Sequence, residues 1–127
     1  LKGFSISLIF SRHRLYCSGI VGSLVGAALG TAWSLKRQSR KEKVIHVCGD
    51  MGAKVSPFRE VVEYAYNFSL PVLFLVEDNG VSVTTDTAKT WGSSEYWWTD
   101  TKFEKMISSF KYSNSFPHSG LGYKIAF

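Results

Sequence analysis

Two short apolar runs in this chain are each followed at once by side chains that can bind a cation. Residues 44 to 48 read VIHVC and end at Gly49-Asp50, and residues 72 to 76 read VLFLV and end at Glu77-Asp78-Asn79-Gly80. A carboxylate and a carboxamide are hard oxygen ligands, which suit magnesium bridged to a diphosphate better than zinc or copper. Asp50 and Asn79 therefore predict a magnesium site if the fold brings them together.

The segment between the two runs has the pattern of an amphipathic helix. Its apolar residues recur at helical spacing and form one stripe: Phe58, Val61, Val62, Ala65 and Phe68. Ser56 suits the N-cap and Pro57 the first helical position, while Pro71 prevents the helix from continuing and favours an extended chain before it. A strand, a helix and a second strand form a right-handed βαβ unit, whose parallel strands end at the same edge about 4.8 Å apart.

The patterns together predict an α/β fold in which helices flank a parallel sheet. The expected elements are a helix over about 22–38, a strand at 44–48, a helix at 57–69, a strand at 71–76, a helix near 102–110 and a final strand near 122–127. A chain of 127 residues with 45% hydrophobic and 15% aromatic residues predicts a single globular domain, residues 1–127. On composition alone, however, the two polar segments also fit ordinary turns, which are rich in Gly, Asp and Asn.

A longer series of motifs indicates more than turns. The series is Gly19-Ile20-Val21-Gly22, Gly30-Thr31-Ala32 with Lys36, Gly49-Asp50-Met51-Gly52, Glu60, Leu70-Pro71, the apolar run at 72–76, Glu77-Asp78-Asn79, and a closing segment at 112–127. In order and spacing it resembles the alpha subunit of the thiamine diphosphate-dependent decarboxylating component of 2-oxo acid dehydrogenase complexes (pyruvate, branched-chain or acetoin dehydrogenase-like). The resemblance covers roughly residues 5 to 127 and implies the diphosphate-binding module of the thiamine diphosphate-binding fold.

The resemblance assigns roles to particular positions. It implies that Asp50 and Asn79 bind magnesium through their side chains and that Val81 binds it through its carbonyl oxygen. The backbone of Met51 and Gly52 would hold the diphosphate, and Gly19 and Val21 would line the aminopyrimidine ring.

The resemblance also implies an activity and its partners. The activity would be oxidative decarboxylation of a 2-oxo acid, with transfer of the acyl group to the lipoyl group of a partner acyltransferase. A beta-type subunit would supply the pyrimidine-side glutamate within a heterotetramer, so the isolated chain is expected to be inactive. A cytoplasmic protein without a nucleic-acid or membrane partner is expected.

Three positions depart from the family pattern. Met51 replaces a glycine, which would cost about 1–3 kcal/mol if the backbone there had a positive φ, unless Gly52 takes over the permissive role. Asp78 replaces an asparagine and adds a negative charge, and Ile9 stands where the family has a histidine. Catalytic residues are therefore left unassigned, and an inactive relative that binds cofactor or partner is the alternative. Because the chain begins at Leu1 without an initiator Met, the N-terminal part is expected to be missing.

The remaining notable residues favour structural roles. Cys17 and Cys48 lack CxxC spacing and are expected to be reduced thiols, and His46, on an interior strand, is expected to be a core residue. The net charge of +5 comes mainly from a basic cluster at 36–43, which fits a solvated helix end. The aromatic residues at 91–98 fit either an interface or burial under the chain's own helices.

A membrane helix is a second alternative. Residues 16 to 35 carry no charged side chain and are long enough to span a bilayer. Gly22, Gly26 and Gly30 form a tandem GxxxG pattern, and a basic cluster follows. Serine and threonine dilute the hydrophobicity of this stretch, and Arg12 and Arg14 make its other flank basic too.

Overall fold

A computed structural model describes residues 4–9, 13–18 and 21–113 of the 127-residue chain, the first two ranges by their backbone alone. The elements in chain order are β1 (Phe4–Ile9), β2 (His13–Ser18), α1 (Val25–Arg37), β3 (Val44–Gly49), α2 (Asp50–Lys54), α3 (Ser56–Asn67), β4 (Val72–Asp78), β5 (Val81–Ser82), β6 (Thr85–Asp86), α4 (Thr87–Trp91), a 3-10 helix (Lys102–Met106) and β7 (Ile107–Lys111).

The main sheet has five strands in the order β2-β1-β3-β4-β7. Strands β3, β4 and β7 run parallel to one another, whereas β1 is antiparallel to both of its neighbours. The expected α/β fold with a parallel sheet is therefore confirmed for three strands. The sheet as a whole is mixed, because the hairpin of β1 and β2, which the sequence patterns did not predict, adds two strands to one side.

The core lies between one face of the sheet and helices α1 and α3. Alternate residues of β3 and β4 point into it, including His46 and Phe74, both fully buried. The predicted stripe of α3 supplies the opposite wall through four buried residues: Phe58, Val61, Val62 and Ala65. Phe68, the fifth member of the stripe, lies past the end of α3 and is 37% exposed. The helix therefore buries the face that its spacing predicts.

The βαβ unit forms close to the expected boundaries. Helix α1 spans Val25–Arg37 against an expected 22–38, and α3 spans Ser56–Asn67 against an expected 57–69. Val55, not Ser56, occupies the N-cap position of α3, and no side chain caps it. Pro57 lies in the first turn, where its missing N–H costs nothing.

The helix expected near 102–110 is wrong. The chain there forms a 3-10 helix and then β7, in which Ile107 is buried and pairs with Phe74 of β4. The strand replaces a helix because pairing with β4 satisfies the backbone and buries Ile107, while the serines at 108 and 109 are weak helix formers. The strand expected near 122–127 lies outside the described residues.

The membrane alternative does not fit the observed elements. Residues 16 to 18 belong to β2 and α1 begins only at Val25, so residues 16 to 35 are not one helix. Across the ranges that the structure describes, no helix is long and apolar enough to cross a membrane.

The aromatic residues at 91–98 divide between burial and exposure. Trp98 is 3% exposed and packs against Phe58, with ring centroids 5.6 Å apart. Tyr96 stacks on Trp98 at 4.3 Å, and Trp97 contacts Trp98 edge-on. Trp91 alone of these four is largely exposed, at 46%. The cluster therefore serves mainly to extend the core.

Candidate functional site

The two polar segments leave the sheet at the same edge. Gly49 of β3 pairs with Glu77 of β4 in parallel register, and Asp50 and Asn79 each directly follow the last residue of their strand. This shared carboxyl edge, as the sequence predicts, is where ligands bind in open α/β sheets. That the two side chains hold one ion stays a prediction.

Asp50 is a buried carboxylate with an unsatisfied oxygen. It is the first residue of α2 and only 2% exposed, and its Oδ2 accepts no hydrogen bond from the described residues. Burial raises the pKa of Asp50, and the negative charge of Asp78 raises it further. A nearby cation would offset both effects, because it would stabilise the ionised form.

Asp78 and Asn79 fold the loop after β4 through their own side chains. Asp78 Oδ1 accepts a hydrogen bond from the Gly80 N–H at 3.0 Å, and Asn79 Oδ1 accepts one from the Val81 N–H at 3.1 Å. These contacts fix the course of the chain through Val81. A carbonyl oxygen has two lone pairs, so the Asn79 oxygen keeps one for a further ligand.

A short hairpin, β5 and β6, then returns the chain to Thr87. The Thr87 N–H donates to the Gly80 carbonyl oxygen at 3.0 Å, which closes the loop at its base. Val83 at the tip has a φ of 58°, a strained conformation for a β-branched residue. Thr87 is 4% exposed, and its hydroxyl lowers the pKa of Asp50. The geometry nevertheless falls short of a hydrogen bond, since neither Thr87 Oγ1 nor Asp50 Oδ2 has a partner among the described residues.

Thr87 is a site residue that the sequence reasoning missed. No motif in the sequence marks it, because the preceding Asp86 gives the segment the ordinary pattern of a helix start. Asp86 does accept a hydrogen bond from the Lys89 N–H and caps α4. The proximity of Thr87 to Asp50 arises only when the hairpin folds back.

A cavity of about 260 Å³ adjoins this loop. Its polar lining includes Lys54, Asp78, Asn79, Thr87, Tyr96 and Lys111. Burial raises the pKa of Tyr96, and interaction of its hydroxyl with Asp78 raises it further. The Lys54 ammonium lies over the Tyr96 ring at 4.9 Å and donates to the Ser93 carbonyl at 3.0 Å and to the Glu95 carbonyl. Lys54 thus ties the segment at 93–96 to α2.

The backbone of Met51 and Gly52 is helical. Neither residue has a positive φ, since both lie within α2. Met51 therefore carries none of the strain considered for it, and Gly52 has no permissive role to take over. The Met51 sulfur instead accepts a hydrogen bond from Trp91 Nε1 at 3.0 Å.

The strand before the segment assigned to the aminopyrimidine ring ends at the same edge. Strand β2 runs parallel to β3, because β1 is antiparallel to both, and β2 ends at Ser18. Gly19 lies outside the described residues, whereas Val21 is described and 52% exposed. Gly22 has a φ of +76°, and a Cβ there would lie 2.8 Å from Val55 Cγ2. This close approach joins the segment to the connection between α2 and α3.

Ile9 lies at the opposite edge of the sheet. It pairs with Val44, the first residue of β3, because β1 runs antiparallel to β3. The position that the family pattern gives to a histidine is therefore remote from Asp50. Among the described side chains, the one histidine is His46, which contacts Phe58 and Phe74 in the core. As expected, it is a core residue, and burial lowers its pKa to about 4.

The described side chains show no cluster of the residue types that usually hold a metal. Within residues whose side chains are described, no three His, Cys, Asp or Glu residues cluster as a metal site. Cys48, two residues before Asp50, is buried. This burial, with the charges of Asp50 and Glu77, raises the pKa of the Cys48 thiol to about 12. It is a neutral thiol, in keeping with a structural role. The carboxylates at this edge are Asp50, Glu77 and Asp78, and together with amide and carbonyl oxygens they offer the all-oxygen ligands that suit magnesium.

Comparisons with known proteins identify the family to which this chain belongs. A sequence model of the family described as "Dehydrogenase E1 component" matches residues 8–102. A probable pyruvate dehydrogenase E1 component subunit alpha, mitochondrial, from Caenorhabditis elegans is 31% identical over 96 residues, which are 76% of this chain and 24% of that protein. The alpha subunit of acetoin:2,6-dichlorophenolindophenol oxidoreductase from Cupriavidus necator is 31% identical over 85 residues, 66% of this chain and 26% of that subunit.

A third relative is the pyruvate dehydrogenase E1 component subunit alpha type II, mitochondrial, of Ascaris suum. It is 30% identical over 80 residues, 63% of this chain and 20% of the relative. The chain therefore belongs to the dehydrogenase E1 component family and is similar to its alpha subunits. The matched segments span about a quarter or less of each of these curated relatives.

Proposed function

We propose that this chain is the thiamine diphosphate- and magnesium-binding part of an alpha-type subunit of a 2-oxo acid dehydrogenase. The observation that carries the proposal is the buried, unpartnered Oδ2 of Asp50 at the carboxyl edge of the parallel strands. Burying a carboxylate without a partner is costly, and a bound cation would offset that cost. Family membership supports the same assignment.

The proposed roles follow the positions on the edge. The Asp50 carboxylate, the Asn79 amide oxygen and the Val81 carbonyl would hold magnesium, and the backbone of Met51 and Gly52 would hold the diphosphate. Gly19 and Val21 would line the aminopyrimidine ring. When bound, the cofactor would supply the electron sink that decarboxylation of a 2-oxo acid requires.

The chain's own contribution would be orientation and exclusion of water. The hydrogen bonds of Asp78 and Asn79 to Gly80 and Val81 set the loop before any ligand arrives, so little conformational freedom would be lost on binding. The burial of Asp50 keeps the ion's strongest ligand out of water, which strengthens its attraction to the cation.

The proposal also covers the partner proteins and the cellular location. The acyl group would pass to a lipoyl-bearing acyltransferase, and a beta-type subunit would complete the pyrimidine side of the site, so the chain alone would not turn over its 2-oxo acid. Residues 1–127 would form one domain of the assembly. The cytoplasmic location expected from the sequence stays a prediction, and the Caenorhabditis and Ascaris relatives are named as mitochondrial.

Isothermal titration calorimetry with thiamine diphosphate, with and without magnesium, tests the proposal. We expect binding to the wild type that depends on magnesium, and a loss of that dependence in Asp50→Asn. Asp100→Asn is the matched control, because Asp100 is exposed and has a φ of 58°, which asparagine tolerates. Equal affinities for wild type and Asp50→Asn would contradict the proposal.

An inactive relative that binds the cofactor without catalysis is the second candidate. It is favoured by the lack of a histidine at this edge among the described side chains, since His46 is buried in the core. Consumption of 2-oxo acid in the presence of a beta-type partner distinguishes the two. Cofactor binding without turnover under those conditions would select the inactive relative.

A further inference from the structure

The candidate site is built from two separate segments. Asp50 begins α2, directly after β3, whereas Asn79 and Val81 lie in the loop after β4. A cation bound by both segments needs a fixed distance between them. The contact that sets this distance is therefore part of the site, even if it does not touch the ion.

Thr87 contacts both segments. Its backbone N–H donates to the Gly80 carbonyl at 3.0 Å, and Gly80 lies between Asn79 and Val81. Helix α4, which begins at Thr87, lies against α2, which begins at Asp50, and the Thr87 hydroxyl lies beside the Asp50 carboxyl. One residue thus joins the loop after β4 to the start of α2.

The Thr87 hydroxyl and Asp50 Oδ2 share an unusual state. Both atoms are fully buried, and neither has a hydrogen-bond partner among the described residues. Both residues are more than nine-tenths buried, at 4% and 2% exposure. Buried polar groups are nearly always satisfied, so two unsatisfied oxygens from different elements indicate a place prepared for a ligand.

We propose that Thr87 is a positioning residue of the magnesium site: its N–H holds the Asn79–Val81 loop, and its hydroxyl would donate to the Asp50 carboxylate when the cation is bound. The inference rests on the proposed function and adds a residue to it. A hydroxyl has one proton to donate. Donation to one Asp50 oxygen would fix the carboxylate plane and leave the other oxygen free for the cation. Outer contacts of this kind orient the groups that bind the metal.

Three variants test the role of the hydroxyl. Thr87→Val removes it while keeping the shape and the N–H, and Thr87→Ser keeps both polar groups. Thr90→Val is the matched control, since the Thr90 hydroxyl bonds the Asp86 carbonyl at 2.7 Å on the exposed side of the same short helix. Magnesium-dependent affinity for thiamine diphosphate is measured by calorimetry, and stability without magnesium by urea denaturation.

We expect Thr87→Val to weaken the magnesium-dependent affinity about tenfold, while stability in the absence of magnesium is unchanged or higher. Thr87→Ser should retain the affinity within about threefold, and Thr90→Val should match the wild type. An affinity for Thr87→Val equal to that of the wild type would overturn the inference and leave the proposed function standing. Loss of stability in parallel with affinity would also overturn it, because the hydroxyl would then be merely structural.

A wild type that shows no magnesium-dependent binding would refute the proposed function, and the inference with it. If Thr87→Val fails to fold, the serine variant keeps the test decisive. Because serine retains both polar groups, a folded Thr87→Ser protein whose affinity is lowered as far as that of Asp50→Asn would overturn the inference.

Discussion

The core under α3 and the carboxyl edge of the sheet both bury polar side chains, but the surroundings of these side chains differ. In the core, His46 lies among aromatic rings, 6.4 Å from the Phe58 centroid and 5.9 Å from that of Phe74, and its pKa falls to about 4. It is therefore neutral at physiological pH. At the edge, Asp50 is buried with an unsatisfied oxygen, although burial disfavours its charged form.

The difference indicates that the buried polar group of the core contributes to stability, whereas that of the edge serves ligand binding. A polar group buried for stability gives up its charge, and the rings around it fill space. A carboxylate buried without a partner lowers stability unless something else supplies the missing charge, and such groups concentrate at functional sites. Changes in the core should therefore alter stability, whereas changes at the edge should alter ligand affinity with little loss of stability.

The largest effect is expected from Phe58→Ala in the core. Phe58 is fully buried and contacts Phe74 and Trp98 at centroid distances of 5.4 and 5.6 Å, so the cavity should lower the free energy of unfolding by about 3–5 kcal/mol. Chemical denaturation measures this value. Phe68→Ala is the control, since Phe68 is 37% exposed. It should lower the free energy of unfolding by clearly less than Phe58→Ala does. Equal losses at the two positions would contradict the assignment of the core.

The next largest effect is expected from the protonation of His46, which should make the stability of the fold depend on pH. Its pKa is about 4 in the folded chain and 6.5 for the unperturbed group, so the unfolded chain binds the proton more tightly. Stability should fall by about 3 kcal/mol as the pH drops from 6.5 to 4. Urea denaturation across this range measures the slope, and His46→Leu should remove that part of it. An unchanged slope in the variant would show that His46 is not the group responsible.

A pair of glycine substitutions compares the edge with an open helix surface. Gly22→Ala should lower stability by about 2 kcal/mol, because its φ of +76° disfavours a Cβ and Val55 Cγ2 would lie 2.8 Å away. Gly26→Ala in α1 meets no atom within 4 Å and should raise stability by up to about 1 kcal/mol. Thermal and urea denaturation give both values, and effects of the same sign would contradict the packing of Gly22 on Val55.

The smallest change in stability is expected at Asp50. Asp50→Asn removes a buried negative charge, so without magnesium at neutral pH the variant should be as stable as the wild type or more stable, by less than about 1 kcal/mol. The raised pKa of Asp50 means that its ionisation destabilises the fold as the pH rises through that pKa. This slope is opposite in sign to that of His46. A clear loss of stability in Asp50→Asn would show that the Asp50 carboxylate stabilises the fold, and would contradict the difference drawn between the edge and the core.

The sequence predicts the βαβ unit well because its signals are local. The apolar stripe of α3, Pro57 and Pro71 mark the helix and its limits, and the strand runs end at the polar residues of the edge. The strand at 107–111 depends on a non-local contact instead, because each of its residues pairs with a residue of β4 that lies 33 positions earlier in the chain. The hairpin of β1 and β2 depends likewise on pairing with β3.

The same division holds for the candidate site. Asp50 and Asn79 follow from strand ends and from family motifs, and their shared edge is confirmed. Thr87 could not be found in this way, because its closeness to Asp50 depends on the Val81–Asp86 pairing and on the backbone bond to Gly80. The distance of Ile9 from this edge could not be predicted either, since sequence spacing alone does not show that β1 runs antiparallel to β3.

The reversed direction of β1 has a consequence for redesign. Ile9 pairs with Val44, and β3 runs five residues further to Gly49, which corresponds to about 17 Å along the strand. A histidine engineered at position 9 would be too distant to exchange a proton with a molecule held at Asp50. Strand β2, by contrast, ends at Ser18 on the same edge as Asp50, so an acid–base group engineered at the end of β2 would start from the correct side of the sheet.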